Sequence, residues 1–306
     1  MDTAKTMDGQ DWGLLILLSV LWGGAYFLAG VAVRELPPLT VVLVRVFLAA
    51  LALLPLFWYL GNSLPKTFAE WLPFFGMGLL NNVIPFGLIF VGQTQITVGL
   101  SSIINAMTPL FTVIVMAGFQ QERLTLNRVI GVLMGVAGVA VLRGIDGPVD
   151  VRQSLGIALC LGAALSYGFA ALWGRKFLIG VPPVKSATCQ LLCSTAIMMV
   201  IVSVVDQPWK LAMPSQHTMW SLVALAVFGT ALAYIVFFKI LVRAGPSNVM
   251  LVTLLIPITA LILGNVFLDE AFQLKEIIGA VIIGLGLLFI DGRVINRVLG
   301  RKISAS

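Results

Sequence analysis

Ser101, Asn105, Thr108 and Thr112 recur at steps of four, three and four in an otherwise apolar stretch. On a helix that spacing puts all four on one face. Three hydroxyls and an amide break no bonds, but they make a wettable wall that a solute can follow or bind. The same stripe also suits packing between helices through small polar residues. Asn81 and Asn82 stand beside Pro85. Neighbours on a helix point about 100° apart, so at most one of the two aims at the space the stripe faces. Their other reading is an interhelical hydrogen bond, or repair of the ladder that Pro85 interrupts. Trp22 and Tyr26 are four apart, and so are Thr230 and Tyr234; Ser166, Tyr167 and Trp173 form a third group. Such rings stack on an aromatic solute or lie over an ammonium. Any single one fits core packing equally well.

Two cations and two prolines complete the set. Arg45 lies about two helical turns inside an apolar stretch. It either snorkels outward and bonds carbonyls or attracts a solute carboxylate. Lys239 lies near the end of its stretch, where it marks topology or adds charge to a solute path. Pro109 and Pro257 each remove a backbone donor at membrane depth, freeing carbonyls near Asn105 and Thr253. Helices bend at such breaks, so both prolines are candidate hinges, with a static packing kink as the alternative.

Bond-making chemistry has little to work with. His217 is the only histidine, and no Asp or Glu falls in the central part of any apolar stretch. HExxH and Gly-x-Ser-x-Gly are absent, as is an intramembrane carboxylate pair, which speaks against an enzyme. Cys160, Cys189 and Cys193 show neither a disulfide framework nor a zinc pattern. They read as small packing residues. No metal or cofactor is expected.

These residues must be held by membrane-crossing elements. The 306 residues are 59% hydrophobic and only 10% charged, with a mean hydropathy of +1.05. Soluble domains carry about 25% charged residues. Ten apolar stretches are long enough to cross a bilayer, at roughly 12–33, 39–60, 71–94, 97–118, 125–142, 154–175, 185–205, 218–240, 246–267 and 274–292. They are numbered 1 to 10 below. The fold class is therefore all-α and integral to a membrane, with the lipid bilayer as a partner and no soluble domain. No cleavable signal is evident: Asp2, Asp8 and Asp11 occupy the place of a basic region.

The net charge of +6 does not point to nucleic acid, because its placement follows the membrane. With the N-terminus inside, the inner segments hold Lys5, Lys66, Arg123, Arg128, Arg175, Lys176, Lys185, Lys239, Arg243, Arg293, Arg297, Arg301 and Lys302. The outer segments hold Arg34, Arg143, Arg152, Lys210 and Lys275. Thirteen against five predicts both termini in the cytoplasm.

The chain also repeats itself at a shift of 145–148 residues. "WGGAYFLAGVAVRELPP" (22–38) aligns with "YGFAALWGRKFLIGVPP" (167–183). Pro109 then matches Pro257, Glu122 matches Glu270, Leu126 matches Leu274, Gly131 matches Gly279 and Gly138 matches Gly286. Five stretches per copy is an odd number, so the second copy enters from the opposite side. Inverted repeats of this kind mark transporters whose site faces either side in turn.

On these motifs the chain resembles paired EamA modules of the drug/metabolite transporter superfamily. The residues behind it include "WGGAYFLAGVAVRELPPLTVVLVR" and "TPLFTVIVMAGFQQERLTLNRVIGVLMGVAGV". Within that family it looks closest to YddG-type aromatic amino acid exporters. The resemblance implies ten helices in two inverted repeats, 1–148 and 149–306, around a central cavity in a bacterial inner membrane. It also implies amino acid export by alternating access. Without a membrane acid, facilitated export is favoured over proton exchange, with export of other metabolites or drugs, coupled to protons, as the alternative. Phosphorylated solutes would call for more cavity cations than Arg45 and Lys239. No obligatory protein partner is expected.

Overall fold

The computed structural model describes residues 7–122, 124–144, 150–271 and 273–291. Of the basic residues counted above, Lys5, Arg123, Arg293, Arg297, Arg301 and Lys302 lie outside them. Among the described residues there is no strand, and each of the ten apolar stretches is helical. Eight helices are long and apolar enough to cross a membrane. They are Gly9–Ala32 (helix 1), Pro38–Tyr59 (2), Phe68–Gly92 (3), Val98–Gly118 (4), Leu126–Arg143 (5), Val151–Phe177 (6), Pro183–Val205 (7) and Gln216–Ala244 (8). Helix 9, Val252–Leu268, has 17 residues and follows a separate turn, Pro246–Val249. Helix 10 is Leu274–Asp291.

Local sequence explains the starts. Asp8 and Asp11 form a reciprocal capping box on helix 1. Thr97, Asp150 and Ser215 cap helices 4, 6 and 8 through side-chain oxygens. Pro-Pro opens helices 2 and 7. The second proline falls at the first helical position, where no amide hydrogen is needed.

Three departures from a plain α-helix matter for the site. Helix 3 contains a π-turn at Leu79–Val83, and the Ile84 amide reaches five residues back to the Leu79 carbonyl. Helix 8 contains a second at Val227–Leu232. Helix 4 is not continuous: Val98–Asn105 ends, Ala106 and Met107 turn, and Thr108–Gly118 begins a new helix. Pro109 therefore sits in a first turn, where proline is tolerated, and not in the helix interior as the sequence suggested.

Helix 2 packs along helix 7 and helix 5 along helix 10, while helix 1 meets helix 9 and helix 4 meets helix 6. Helices 5 and 10 run antiparallel at near-contact of their backbones. A Cβ on Gly131 would lie 2.6 Å from the Gly286 carbonyl oxygen, and one on Gly138 3.0 Å from that of Gly279. Only glycine fits there, and backbone approach of this kind holds helices together where lipid competes for apolar contact. One buried core joins helices 1, 2, 3, 7 and 8, and another joins helices 4, 5, 6 and 10. The outward faces carry Leu133, Val136, Val200, Val204, Phe228 and Val266, all exposed.

Candidate functional site

Arg45 anchors a polar cluster between helices 2, 3, 7 and 8. Its side chain does not snorkel; the residue is 7% exposed. Nε donates to Thr230 Oγ1 at 2.9 Å, and the guanidinium lies 3.7 Å above the centroid of the Phe86 ring. The Thr230 hydroxyl in turn donates to the Leu225 carbonyl at 3.1 Å, five residues back. Among the described residues no carboxylate lies within ion-pair distance of Arg45. Tyr26, Tyr167 and Tyr234 stand around it within electrostatic range.

The two asparagines both join this cluster. Asn81 Nδ2 donates to Gln190 Oε1 at 3.4 Å and to Tyr234 Oη at 3.3 Å. Asn82 Nδ2 donates to Ser194 Oγ at 2.9 Å, and its Oδ1 accepts from Tyr234 Oη at 3.1 Å. The expectation that one would point away assumed an α-helix. The π-turn widens the helix and turns both side chains toward helices 7 and 8. Pro85, which has no amide hydrogen to return to the Asn81 carbonyl, sits one turn beyond.

The stripe on helix 4 divides. Asn105 is half-buried, near Tyr26, and its Oδ1 is buried without a hydrogen-bond partner. Thr108 and Thr112 donate to carbonyls of their own helix, at Asn105 and Thr108. Ser101 is fully buried and meets Cys160 Sγ at 3.4 Å. The break at Ala106–Met107 parts Ser101 and Asn105 from Thr108 and Thr112, so one continuous face does not form. Trp22 packs on Phe237 with ring centroids 5.6 Å apart. Trp173 donates to the Pro73 carbonyl, which commits it to packing.

Lys239 stays apart. It is exposed on the stripe of helix 8 that carries Phe228, Ile235 and Val242, turned from Tyr234. Two residues of the cluster, both on helix 7, were not singled out in the sequence. Gln190 and Ser194 stand four apart on helix 7, and Ser166 Oγ donates to the Leu80 carbonyl in the π-turn of helix 3 at 2.7 Å. The spacing of Gln190 and Ser194 was a readable signal, obscured by the cysteines beside them. Glu276 is also buried, at 3% exposure, in the first turn of helix 10. Its side chain accepts from Thr97 Oγ1 at 3.5 Å. Among the described residues no group of three or more potential metal ligands occurs.

A polar, aromatic-lined cluster with an unmatched buried cation sits inside a membrane bundle. The model of the EamA-like transporter family matches residues 12–144 and again 154–291. The chain belongs to the EamA-like transporter family. It is a multi-pass membrane protein, and its relatives are transporters. It is 26% identical over 294 residues to an uncharacterized transporter of Archaeoglobus fulgidus, covering 92% of this chain and 98% of that one. It is 26% identical over 255 residues to the uncharacterized inner membrane transporter YedA of Escherichia coli K12, covering 83% and 81%. Protein PecM of Dickeya dadantii is 24% identical over 276 residues, covering 89% of each chain. A protein of known crystal structure shares the fold with a TM-score of 0.67 at 19% identity, over 94% of this chain and 97% of that one.

Proposed function

We propose that this transporter exports amino acids, aromatic ones among them, across a bacterial inner membrane. It does so by alternating access between two inverted repeats, 1–148 and 149–306, with both termini cytoplasmic. The observation that carries the substrate class is Arg45, a buried guanidinium with no carboxylate partner among the described residues. Unpaired charge at membrane depth is costly and marks a solute path. A substrate carboxylate supplies the missing partner, and Arg binds it with two parallel hydrogen bonds. Asn105 Oδ1, buried without a partner, accepts from the substrate ammonium. Tyr26, Tyr167, Tyr234 and Trp22 offer faces for an aromatic side chain.

Three features support the inverted repeat. The π-turns start at Leu79 and Val227, a shift of 148 residues. Gly131 meets Gly286 and Gly138 meets Gly279, a reciprocal exchange between matched positions. Helix 1 meets helix 9 as helix 6 meets helix 4. The inner-membrane location is carried over from YedA, and the topology from the thirteen-to-five charge bias.

Counterflow of labelled amino acids in liposomes, with and without a pH gradient, tests this reading. Uptake should persist with the gradient collapsed, and Arg45→Gln should remove it with normal expression. Absence of counterflow for every amino acid tried would end the substrate assignment. Buried Glu276 favours a second reading, proton coupling. Strict dependence on an imposed pH gradient, abolished by Glu276→Gln, would select it.

A further inference from the structure

A cavity of about 250 Å³ opens at the end of the bundle read as outer, apart from the Arg45 cluster. Its walls include Gly30, Arg34, Gln93, Thr94, Val98 and Glu270. It has space for on the order of eight water-sized groups, the scale of a small amino acid. Two opposite charges share this wall. Arg34 is exposed, bonds the Leu268 carbonyl at 3.4 Å, and has no ion-pair partner among the described residues. The Glu270 carboxylate accepts from the Val98 and Gly99 amides at 2.9 and 3.4 Å. Gln93 is nine-tenths buried, and its Oε1 has no hydrogen-bond partner. Burying an acceptor unmet by the protein costs about 1–3 kcal/mol.

The position of Gln93 links this space to the first site. Its Nε2 donates to the backbone carbonyl of Tyr26 at 3.1 Å, and the Tyr26 side chain faces Arg45 and Asn105. Gly30 packs directly on Val98 at the same level.

We infer that this cavity is a second binding site, an exit subsite for a zwitterionic solute on the outer side of the transporter. Arg34 takes the carboxylate. Glu270, on the same wall, takes the ammonium. The inference rests on the amino acid reading above for the identity of the solute, while the complementary charges stand on geometry alone. A solute released outward from the Arg45 cluster pauses here, and one arriving from outside binds here first.

The test uses full-length Thr94→Cys protein in detergent, since the three native cysteines are buried. The rate of labelling by a membrane-impermeant maleimide is read with glycine, alanine, phenylalanine or propionate at millimolar concentration. A zwitterion should slow labelling several-fold and propionate less. Arg34→Gln should remove protection, while Lys210→Gln and Arg45→Gln keep it. Labelling unaffected by every zwitterion would overturn the subsite, and so would protection that survives Arg34→Gln or vanishes with Arg45→Gln. Counterflow on the same protein separates the two readings. Protection without counterflow ends the export assignment and keeps the subsite; counterflow without protection does the reverse.

Discussion

Helices 4 and 9 carry matched prolines in a matched sequence frame, yet they are built differently. Helix 4 breaks directly ahead of Pro109, whereas helix 9 runs unbroken through Pro257 and breaks one to two turns earlier, at Met250–Leu251. The residue before each proline accounts for part of this. Thr108 turns its hydroxyl onto the Asn105 carbonyl, the group Pro109 leaves without its amide partner. Ile256 occupies the same place in helix 9 and has no hydrogen to give. The second part is the start of each helix. Glu270 caps the Val98 and Gly99 amides of helix 4. Its counterpart Glu122 pairs instead with Arg128 at 2.9 Å and Arg175 at 3.5 Å. At the start of the helix 9 segment Pro246, in the Gly-Pro-Ser that resembles Gly-Leu-Ser at 99–101, has no amide to offer. Matched sequence thus gives a pinned, two-piece helix 4 and a helix 9 with an open proline break.

The comparison can be broken in four ways, the largest effect first. Asn105→Leu removes an unpartnered acceptor beside Tyr26 and should lower transport about tenfold, the worth of one good hydrogen bond. Val113→Leu, and Thr253→Val at the place of Asn105 in helix 9, should stay within about twofold. Equal loss in all three, measured as counterflow at matched protein levels, would assign Asn105 to packing.

Next come the prolines. Pro257→Ala restores an interior hydrogen bond and straightens helix 9. It should slow turnover about fivefold with substrate binding retained. Pro109→Ala changes a first-turn residue and should cost less than about twofold. Equal slowing by both would show that the two breaks act alike despite their different structures.

The caps come third. Glu270→Ala should destabilise the protein by about 1–2 kcal/mol, the range for a lost helix cap. Glu122→Ala removes only partly exposed ion pairs and should cost under about 1 kcal/mol. Thermal midpoints in detergent decide, and a larger drop for Glu122→Ala would reverse the assignment of the pinned end. The smallest effect is Thr108→Val, at about 1 kcal/mol. Ile256→Thr should offset part of it by giving helix 9 the same hydroxyl clasp. No response of the thermal midpoint to either would remove the hydroxyl from the account.

Much of the architecture was legible in the chain. Runs of apolar residues near twenty long leave the backbone no partner but itself, so helices follow wherever the runs occur. The Pro-Pro starts and the glycines of helices 5 and 10 were readable for the same local reason: each needs a backbone position that few other residues tolerate. Tyr26, Asn81, Asn82, Tyr167, Thr230 and Tyr234 were named from residue type and spacing, and they meet around Arg45.

What the sequence by itself determined was therefore which segments are helical, which prolines and glycines recur, and which polar residues are too costly to face lipid. Tertiary structure alone decided their partners. The π-turn at Leu79–Val83 aims both asparagines at helices 7 and 8, where spacing on an α-helix allowed one. The turn at Ala106–Met107 divides the stripe, leaving Ser101 against Cys160 and Asn105 beside Tyr26 ahead of it and Thr108 and Thr112 beyond it. Arg45 is buried because Thr230, 185 positions away, accepts its hydrogen and Phe86 covers its face. Hydropathy and spacing are local quantities, whereas a hydrogen bond between helices depends on which faces the packing of the whole bundle brings together.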